Sequence, residues 1–154
     1  MPGSVHMPID SPSYWVLGHR ITPVETLGNY ALLQGVTPAG IPGPPPHYHE
    51  DATELFLVTA GRLEVMVDGH WRTLAVGDST CVPVRAVHTF RNPDAVEARW
   101  VTALSPREFE GFFTDFGVPV EENGSFEASV SEASIARVIA ECSRYGMILV
   151  DAGR

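Results

Sequence analysis

The sequence predicts a mainly β domain, a sandwich or barrel of short antiparallel strands followed by two short helices. Short apolar runs recur between Trp15 and Trp100, at the spacing of roughly 8–12 residues that is typical of all-β folds. Turn residues separate these runs, and the chain has 14 Gly and 13 Pro, more than a helical bundle accommodates. Beyond residue 104 the apolar residues recur at the three- and four-residue spacing of helices.

Seven segments are predicted as strands. They are residues 30–36, 54–59, 62–67, 70–74, 79–82, 87–91 and 98–104. Apolar and polar residues nearly alternate over residues 63–68, as in a strand with one buried face. Asp68 and Gly69 then form a pair that favours the positive φ angles of a two-residue hairpin turn. Gly61 and Gly77 mark two further turns, so we expect an antiparallel meander.

The first helix is predicted to begin at Ser105, whose hydroxyl can cap it. Pro106 suits the first helical position, and Glu108 completes a capping box with Ser105. Four aromatic residues follow at helical spacing: Phe109, Phe112, Phe113 and Phe116. This stripe predicts packing on a sheet rather than cofactor stacking. Gly117 and Pro119 end the helix.

A second helix is predicted after an acidic linker over residues 121–129. Ser131 can cap it, and Gly146 ends it. One face carries Ile135, Val138, Ile139 and Cys142. Cys142 is therefore interpreted as an inert buried thiol rather than a nucleophile.

Composition argues against several classes of partner. The 154 residues are enough for one domain with its own core. The net charge is −9, and all 10 basic residues are Arg, so the surface repels phosphate backbones and we expect no nucleic-acid partner. No apolar run approaches the roughly 18 residues of a membrane span, so we expect no membrane partner.

Cysteine usage and the first residues bear on localisation. Cys81 and Cys142 lie far apart without a CxxC pattern, which favours buried free thiols in a reducing cytoplasm. Residues 1–10 lack the charged and apolar regions of a signal peptide, and part of them could be an expression remnant. We therefore predict a cytoplasmic protein.

Two histidines at neighbouring same-face positions point to a metal site. His47 and His49 follow three prolines that hold the approach extended. Residues two apart in an extended chain point to the same side, so both rings can reach one point. Glu54 comes five residues after His49, which is an odd spacing. Residues 50–53 must bulge or turn for Glu54 to join the histidines.

His88 is a third candidate ligand, because it opens a strand with Phe90 on the same face. Three imidazole nitrogens and one carboxylate suit one divalent transition-metal ion per chain, Fe, Mn, Ni, Co, Cu or Zn. Such a set leaves open positions on the ion for catalysis. His19 and His70 are interpreted as surface or satisfied core residues, Asn92 as a turn residue, and Glu50 as a substitute should Glu54 point outward.

These residues resemble the cupin superfamily, specifically small single-domain quercetin-dioxygenase-like members. The first cupin motif is matched by His47, His49, Glu54 and Gly61, and the second by Gly77, Pro83, His88 and Asn92. The resemblance implies a double-stranded β-helix, a jelly-roll-like barrel over about residues 14–104. A helical extension over about 105–154 completes a single domain of residues 1–154.

Two positions depart from the cupin motifs. Ile41 stands where a Gly is expected, with Gly40 and Gly43 on either side. Arg85 also replaces a Gly that normally permits a positive φ. Neither departure removes a candidate ligand, but the turn at Arg85 must adopt another conformation or carry strain.

Three functions are considered for this site. Counting in twos from Glu54 and His88 predicts a substrate pocket lined by Phe56, Val58, Phe90 and Trp100. The resemblance implies a metal-dependent dioxygenase acting with O2 on a small aromatic enol or phenol such as a flavonol, with Glu54 as ligand or general base. The alternatives are a non-redox isomerase, lyase or polyketide-type cyclase, and a non-catalytic binding module. The resemblance also implies a homodimer, which the apolar residues 14–17 support only weakly.

Overall fold

The computed structural model describes residues 11–151, which form two facing antiparallel sheets with a short helical extension. The strands are β1 Tyr14–Val16, β2 His19–Val24, β3 Ala31–Thr37, β4 His47–His49, β5 Thr53–Ala60, β6 Leu63–Val67, β7 His70–Leu74, β8 Ser79–Val82, β9 His88–Arg91, β10 Ala98–Ser105, β11 Val118–Pro119 and β12 Met147–Leu149. The α-helices are α1 Glu110–Phe116, α2 Ser125–Ser129 and α3 Glu132–Glu141, and 3-10 turns occupy Arg107–Phe109 and Cys142–Tyr145.

The strand order is that of a barrel made from two sheets. Among residues 11–151, one sheet has seven strands in the order β11-β1-β2-β3-β10-β5-β8. The other has five, in the order β12-β4-β9-β6-β7. The chain crosses repeatedly from one sheet to the other, so side chains far apart in sequence meet between them. The predicted β-barrel fold is confirmed.

All seven predicted strands are present, with ends within one residue of the prediction. Residues 70–74 and 79–82 match at both ends. The hairpin turn is also confirmed, since Val67 pairs with His70 and the φ angles of Asp68 and Gly69 are 47° and 82°. Period-two alternation therefore located these strands correctly.

Strands β1, β2, β4, β11 and β12 were not among the predicted strands, although residues 47–49 were expected to be extended. Two of them contain proline and four have three residues or fewer, which is too short for a clear alternation. The apolar residues 14–17 include β1, which pairs within the chain with β2 on one side and β11 on the other. The homodimer therefore stays a prediction without support from this stretch.

The first helix is present, but its predicted capping box is wrong. Ser105 remains the last residue of β10, and its hydroxyl donates to the Asn29 carbonyl (3.3 Å) rather than capping a helix. Sheet pairing with β5 holds this residue, so the chain enters a 3-10 turn before α1 begins at Glu110. The four phenylalanines of the stripe are all buried, as predicted.

The predicted linker over residues 121–129 is partly helical, because α2 occupies its second half. Ser129 there is buried, and its hydroxyl accepts a hydrogen bond from the Gly18 amide (3.2 Å). Helix α3 begins as predicted, with the Ser131 hydroxyl accepting from the Ser134 amide (3.2 Å). On its predicted apolar face Val138 is buried, as is Cys142 just beyond the end of the helix. Ile135 and Ile139 on the same predicted face are 40% and 52% exposed.

The cysteines are both free, and their surroundings differ. Cys142 is buried as predicted, whereas Cys81 is exposed, so its prediction as a buried thiol is wrong. Cys81 occupies an outward position on β8, where burial alternates along the strand. Among residues 11–151 we find no helix with the length and apolar character needed to cross a membrane. Residues 1–10, on which the signal-peptide prediction rests, lie outside the described part of the chain.

The ring of Trp100 packs over Gly35 in the larger sheet. Trp100 on β10 is the register partner of Gly35 on β3. A Cβ atom at Gly35 would lie 2.3 Å from Trp100 Cε2, so only glycine allows the ring to lie there. The indole Nε1 then donates to the hydroxyl of Thr37 (2.9 Å). This contact becomes part of the wall of the site.

Candidate metal centre

His47 and His49 project from β4 toward the space between the sheets. Both side chains are buried while the intervening Tyr48 is half-buried, as alternation along an extended strand requires. Strand β4 pairs with β12 along its length, which holds this short segment straight. The ring centroids lie 5.2 Å apart. The predicted same-side geometry of the two rings is therefore present.

His88 faces this pair from the adjacent strand β9. It is the register partner of His47 across the antiparallel ladder, and its ring centroid lies 4.3 Å from that of His47 and 5.0 Å from that of His49. One ring nitrogen from each of the three histidines falls within 4.8 Å of the others. Nitrogen atoms at these separations could hold one metal ion.

Glu54 reaches the histidines from the opposite sheet. The chain bends after His49 and enters β5 at Thr53, so the turn that the odd spacing required is present. Glu54 Oε2 lies 3.2 Å from His49 Nε2 and 3.0 Å from His88 Nε2. The hydroxyl of Thr102 on β10 donates to Oε1 (2.9 Å). The carboxylate is thus held from both sides and is only 8% exposed.

Burial and mutual charge set the protonation of these groups. Burial, together with the charges of His88 and His49, lowers the pKa of His47 to about 3. Burial alone would raise the pKa of Glu54, but its contacts with His49 and His88 outweigh it and hold that pKa below its usual range. Burial opposes the charged form of His88 as well, yet its contacts with Glu54 raise its pKa overall. Glu54 is therefore a carboxylate at neutral pH.

Two backbone carbonyls orient the rings in the way that metal ligands require. His47 Nδ1 donates to the Pro45 carbonyl (2.8 Å) and His88 Nδ1 donates to the Ala86 carbonyl (3.0 Å). A carbonyl can only accept, so Nδ1 carries the proton in both rings. This leaves Nε2 of each ring as the atom available to a metal, with its orientation fixed by the carbonyl.

The surroundings of His88 fit a cation at the cluster. Its Nδ1 faces the Ala86 carbonyl, and its Nε2 faces the Glu54 carboxylate, so both nitrogens have acceptors. A neutral imidazole has one N–H, so this arrangement needs either a second proton or a metal ion at Nε2. Imidazole and carboxylate donors together suit a divalent transition metal. The donor set therefore agrees with the predicted cofactor, without naming the metal.

A small cavity of about 50 Å³ lies beside the cluster. Three of the four predicted pocket residues line it: Phe56, Phe90 and Trp100. Val58 is buried in the same core but does not line the cavity, since it lies two positions farther along β5 than Phe56. The wall is mainly apolar and includes six phenylalanine or tryptophan rings, so a bound ligand would be shielded from water.

Several cavity residues were not predicted from the sequence. Phe109, Phe112 and Phe113 from the helical extension line the cavity, and Phe109 packs edge-on against His49 with ring centroids 4.4 Å apart. Their helical spacing predicted burial but gave no indication of what they cover. Thr102 and His19 also line the cavity. Alternation on β10 could have placed Thr102 beside Trp100, whereas nothing local indicated His19.

An open cleft of about 520 Å³ lies on the other side of Phe109. It is lined by polar residues that include Glu50, Asp51 and Arg144. His49 and Phe109 are the two residues that line both the cleft and the inner cavity. Glu50 therefore faces the cleft, while Glu54 takes the place at the cluster that was predicted for it.

The turn before His88 contains the departure from the second motif. Arg85 has φ 65°, the left-handed conformation that a glycine adopts without strain. Its amide donates to the carbonyl of His49 (3.0 Å), which ties this turn to the strand that carries two of the histidines. Nearby, a Cβ at Gly43 would lie 1.6 Å from the Phe90 carbonyl oxygen. Gly43, two positions after the site where the first motif expects a glycine, thus permits the close approach of its backbone to that of Phe90.

Comparison with known proteins gives a family match over the part of the chain that carries the site. Residues 34–104 match the family described as Cupin domain. Over 60 residues the chain is 42% identical to the polyketide synthase CurC of Streptomyces cyaneus, covering 39% of each chain. It is also 42% identical over 60 residues to the protein SchB of Streptomyces halstedii, covering 39% of this chain and 44% of SchB. The matches thus span about two-fifths of the length of these relatives.

Solved structures agree on the fold. KdgF from Halomonas sp. superposes with a TM-score of 0.54 at 23% identity, covering 58% of this chain and 80% of that one. An RmlC-like cupin from Shewanella frigidimarina gives a TM-score of 0.59 at 19% identity, covering 68% and 91%. At these identities the likeness concerns the fold alone. Residues 34–104 thus match the Cupin domain family, and the described residues form a cupin β-barrel whose three histidines could form a metal site.

Proposed function

We propose that this protein is a metal-dependent enzyme acting on a small enolic or phenolic substrate of the polyketide type. The observation that carries the proposal is the Glu54 carboxylate, fixed beside the histidine cluster at an aromatic-lined cavity. The local identity to CurC, whose name places it in polyketide synthesis, supports the substrate class. Fold alone does not decide chemistry, so the proposal rests on the site.

The ligands in this proposal are His47, His49 and His88, with Glu54 as a fourth ligand or as the base. When bound, the ion supplies Lewis acidity that polarises a substrate oxygen. Glu54 Oε2 accepts the proton of the enol or phenol, since Thr102 occupies Oε1 and leaves Oε2 directed at the cluster. Neutral His47 leaves its Nε2 lone pair available, because burial opposes its protonation. The aromatic wall excludes water from the proton transfer.

We infer that a side chain moves to admit a substrate to the cavity. At about 50 Å³ the cavity is far smaller than the roughly 300–1,000 Å³ of typical ligand pockets. His49 and Phe109 line both this cavity and the open cleft. His49 is held by Glu54, so rotation of Phe109 is the simplest route by which substrate enters from the cleft.

Two reaction types remain as candidates within this proposal. The CurC and SchB matches favour a non-redox reaction such as a polyketide-type cyclisation or isomerisation. The first function considered, a dioxygenase, is favoured by the three-histidine and glutamate set, which suits redox-active ions. Oxygen consumption distinguishes the two, because only the dioxygenase removes O2 as substrate disappears.

The test uses the full chain, loaded in turn with Fe(II), Mn(II), Ni(II) and Zn(II). Triacetic acid lactone and quercetin are the probes, followed by mass spectrometry and an oxygen electrode. We expect turnover that falls at least about 100-fold in Glu54→Gln, the contribution of one general base. Equal turnover in wild type and Glu54→Gln, or a chain that retains none of these metals, refutes the proposal.

We also propose that two copies associate in solution. The resemblance to small cupins is the ground for this. Light scattering at several concentrations tests it, and a mass of one chain throughout refutes it.

A further inference from the structure

His19 is a buried polar residue at the cavity that the proposed reaction does not use. It begins β2, is 4% exposed and lines the cavity together with the cluster histidines. Its ring packs on Phe90 with centroids 4.8 Å apart. It does not belong to the group of histidines that could hold the metal. Its role must therefore differ from that of a ligand.

A chain of hydrogen bonds fixes which nitrogen of His19 carries the proton. Trp100 Nε1 can only donate, and it donates to Thr37 Oγ1 (2.9 Å). The Thr37 hydroxyl proton is then free, and among residues 11–151 its acceptor is His19 Nδ1 (3.0 Å). His19 Nδ1 thus accepts, and the proton of the neutral ring is on Nε2. Burial lowers the pKa of His19 to about 4, although the nearby Pro42 backbone carbonyl opposes this shift, so the ring is neutral at pH 7.

The Nε2–H donor is buried, and among the described residues no acceptor, the nearby Pro42 carbonyl included, meets hydrogen-bond geometry with it. Buried polar groups without partners are rare in proteins, and each one calls for a ligand, a water or a catalytic role. Apart from the histidines, Glu54 and Thr102, the lining of this cavity is apolar. A ligand oxygen in the cavity would satisfy the donor.

Phe90 connects His19 with the strand that carries His88. His88 and Phe90 both line the cavity from β9, two residues apart on one face. That spacing corresponds to roughly 7 Å along a strand. His19 packs on Phe90, so it contacts the side chain that follows His88 on this face of β9. The cavity lining therefore includes a polar group at His19 as well as those of the cluster.

We propose that His19 Nε2–H donates a hydrogen bond to a second oxygen of the substrate and positions the first oxygen at the histidine cluster. The inference rests on the proposed function, and it narrows the substrate to a compact molecule with two oxygen functions across an apolar body. A rigid β-diketone in its enol form meets this description. His19 is a positioning residue, because it does not act on the reacting atoms.

The test compares two variants that differ in which donor they keep. In His19→Gln the side-chain amide nitrogen can replace Nε2 as the donor. In His19→Asn the side chain is shorter, and its amide reaches only the former position of Nδ1, beside Thr37. The probes are cyclohexane-1,3-dione, which has two oxygens held apart by a ring, and cyclohex-2-en-1-one, which has one. Dissociation constants are measured by calorimetry on Zn(II)-loaded full chain, with metal content and unfolding temperature recorded for every variant.

We expect the dissociation constant for cyclohexane-1,3-dione to rise at least tenfold in His19→Asn and to stay within threefold of wild type in His19→Gln. Cyclohex-2-en-1-one should bind wild type and both variants equally, with unchanged metal content. Equal binding of the dione by wild type and His19→Asn overturns this inference alone, and shows that only water meets the donor. Binding of neither probe by metal-loaded wild type overturns the proposed function and this inference together.

Discussion

Replacing Glu54 by Gln removes the charge at the centre of the cluster while keeping the shape of the side chain. The Thr102 hydrogen bond to Oε1 can persist, whereas the contacts of Oε2 with His49 and His88 lose their charge. A hydrogen bond to a charged group contributes about 1.5–3 kcal/mol. His88 can lose its proton once the carboxylate is gone, which limits the penalty. We expect the metal-free variant to lose about 2 kcal/mol of unfolding free energy at about pH 5.5.

The loss should depend on pH in a defined direction. The folded-state pKa of Glu54 is below its ordinary 4.5, so its stabilisation is present above about pH 4.5 and is lost as pH falls through the folded pKa. The pKa of His88 is raised above 6.5, so its stabilisation is present below about pH 6.5 and is lost as pH rises through the folded pKa. Both shifts describe one interaction. It is therefore complete between about pH 4.5 and 6.5.

Urea unfolding of chelator-treated protein at about pH 5.5 and pH 9 measures this difference. The matched control is Glu64→Gln, because Glu64 pairs with Arg91 at the surface and its side chain is 26% exposed. Exposed pairs contribute about 0–1 kcal/mol, so the control should change little at either pH. A loss for Glu54→Gln that is the same at both pH values, or no larger than that of the control, would refute the interaction described here.

Three further substitutions test the architecture around the site. Arg85→Gly should stabilise the protein by about 0.5 kcal/mol, since relief of the left-handed conformation exceeds the entropy that glycine adds to the unfolded chain; thermal unfolding checks this, and destabilisation contradicts it. Asn92→Ala should cost about 3 kcal/mol in urea unfolding, because the buried amide donates to three backbone carbonyls; a cost below about 1 kcal/mol would show that water replaces them. Phe109→Ala should connect the cavity to the cleft and speed removal of bound metal by a chelator. Phe112 lines the cavity but not the cleft, so Phe112→Ala should leave that rate unchanged. Equal rates in the two variants would place the entrance elsewhere.

The sequence by itself determined the local features of this protein. Alternation and turn residues located seven strands within one residue, because burial on one face of a sheet imposes period two on the chain. The pairing of His47 with His49 followed from the same period. The need for a bend before Glu54 also followed from counting, and the structure contains it. These conclusions depend only on neighbours along the chain.

Tertiary structure alone decided what closes the site and what faces it. Ser105 could have capped a helix, but pairing between strands distant in sequence kept it in β10. Phe109 was recognisably apolar, yet only the docking of the helical extension places it against His49. His19 owes its position to the packing of one sheet on the other, which brings its ring onto Phe90. Contacts of this kind join residues many positions apart, and local periodicity carries no information about them.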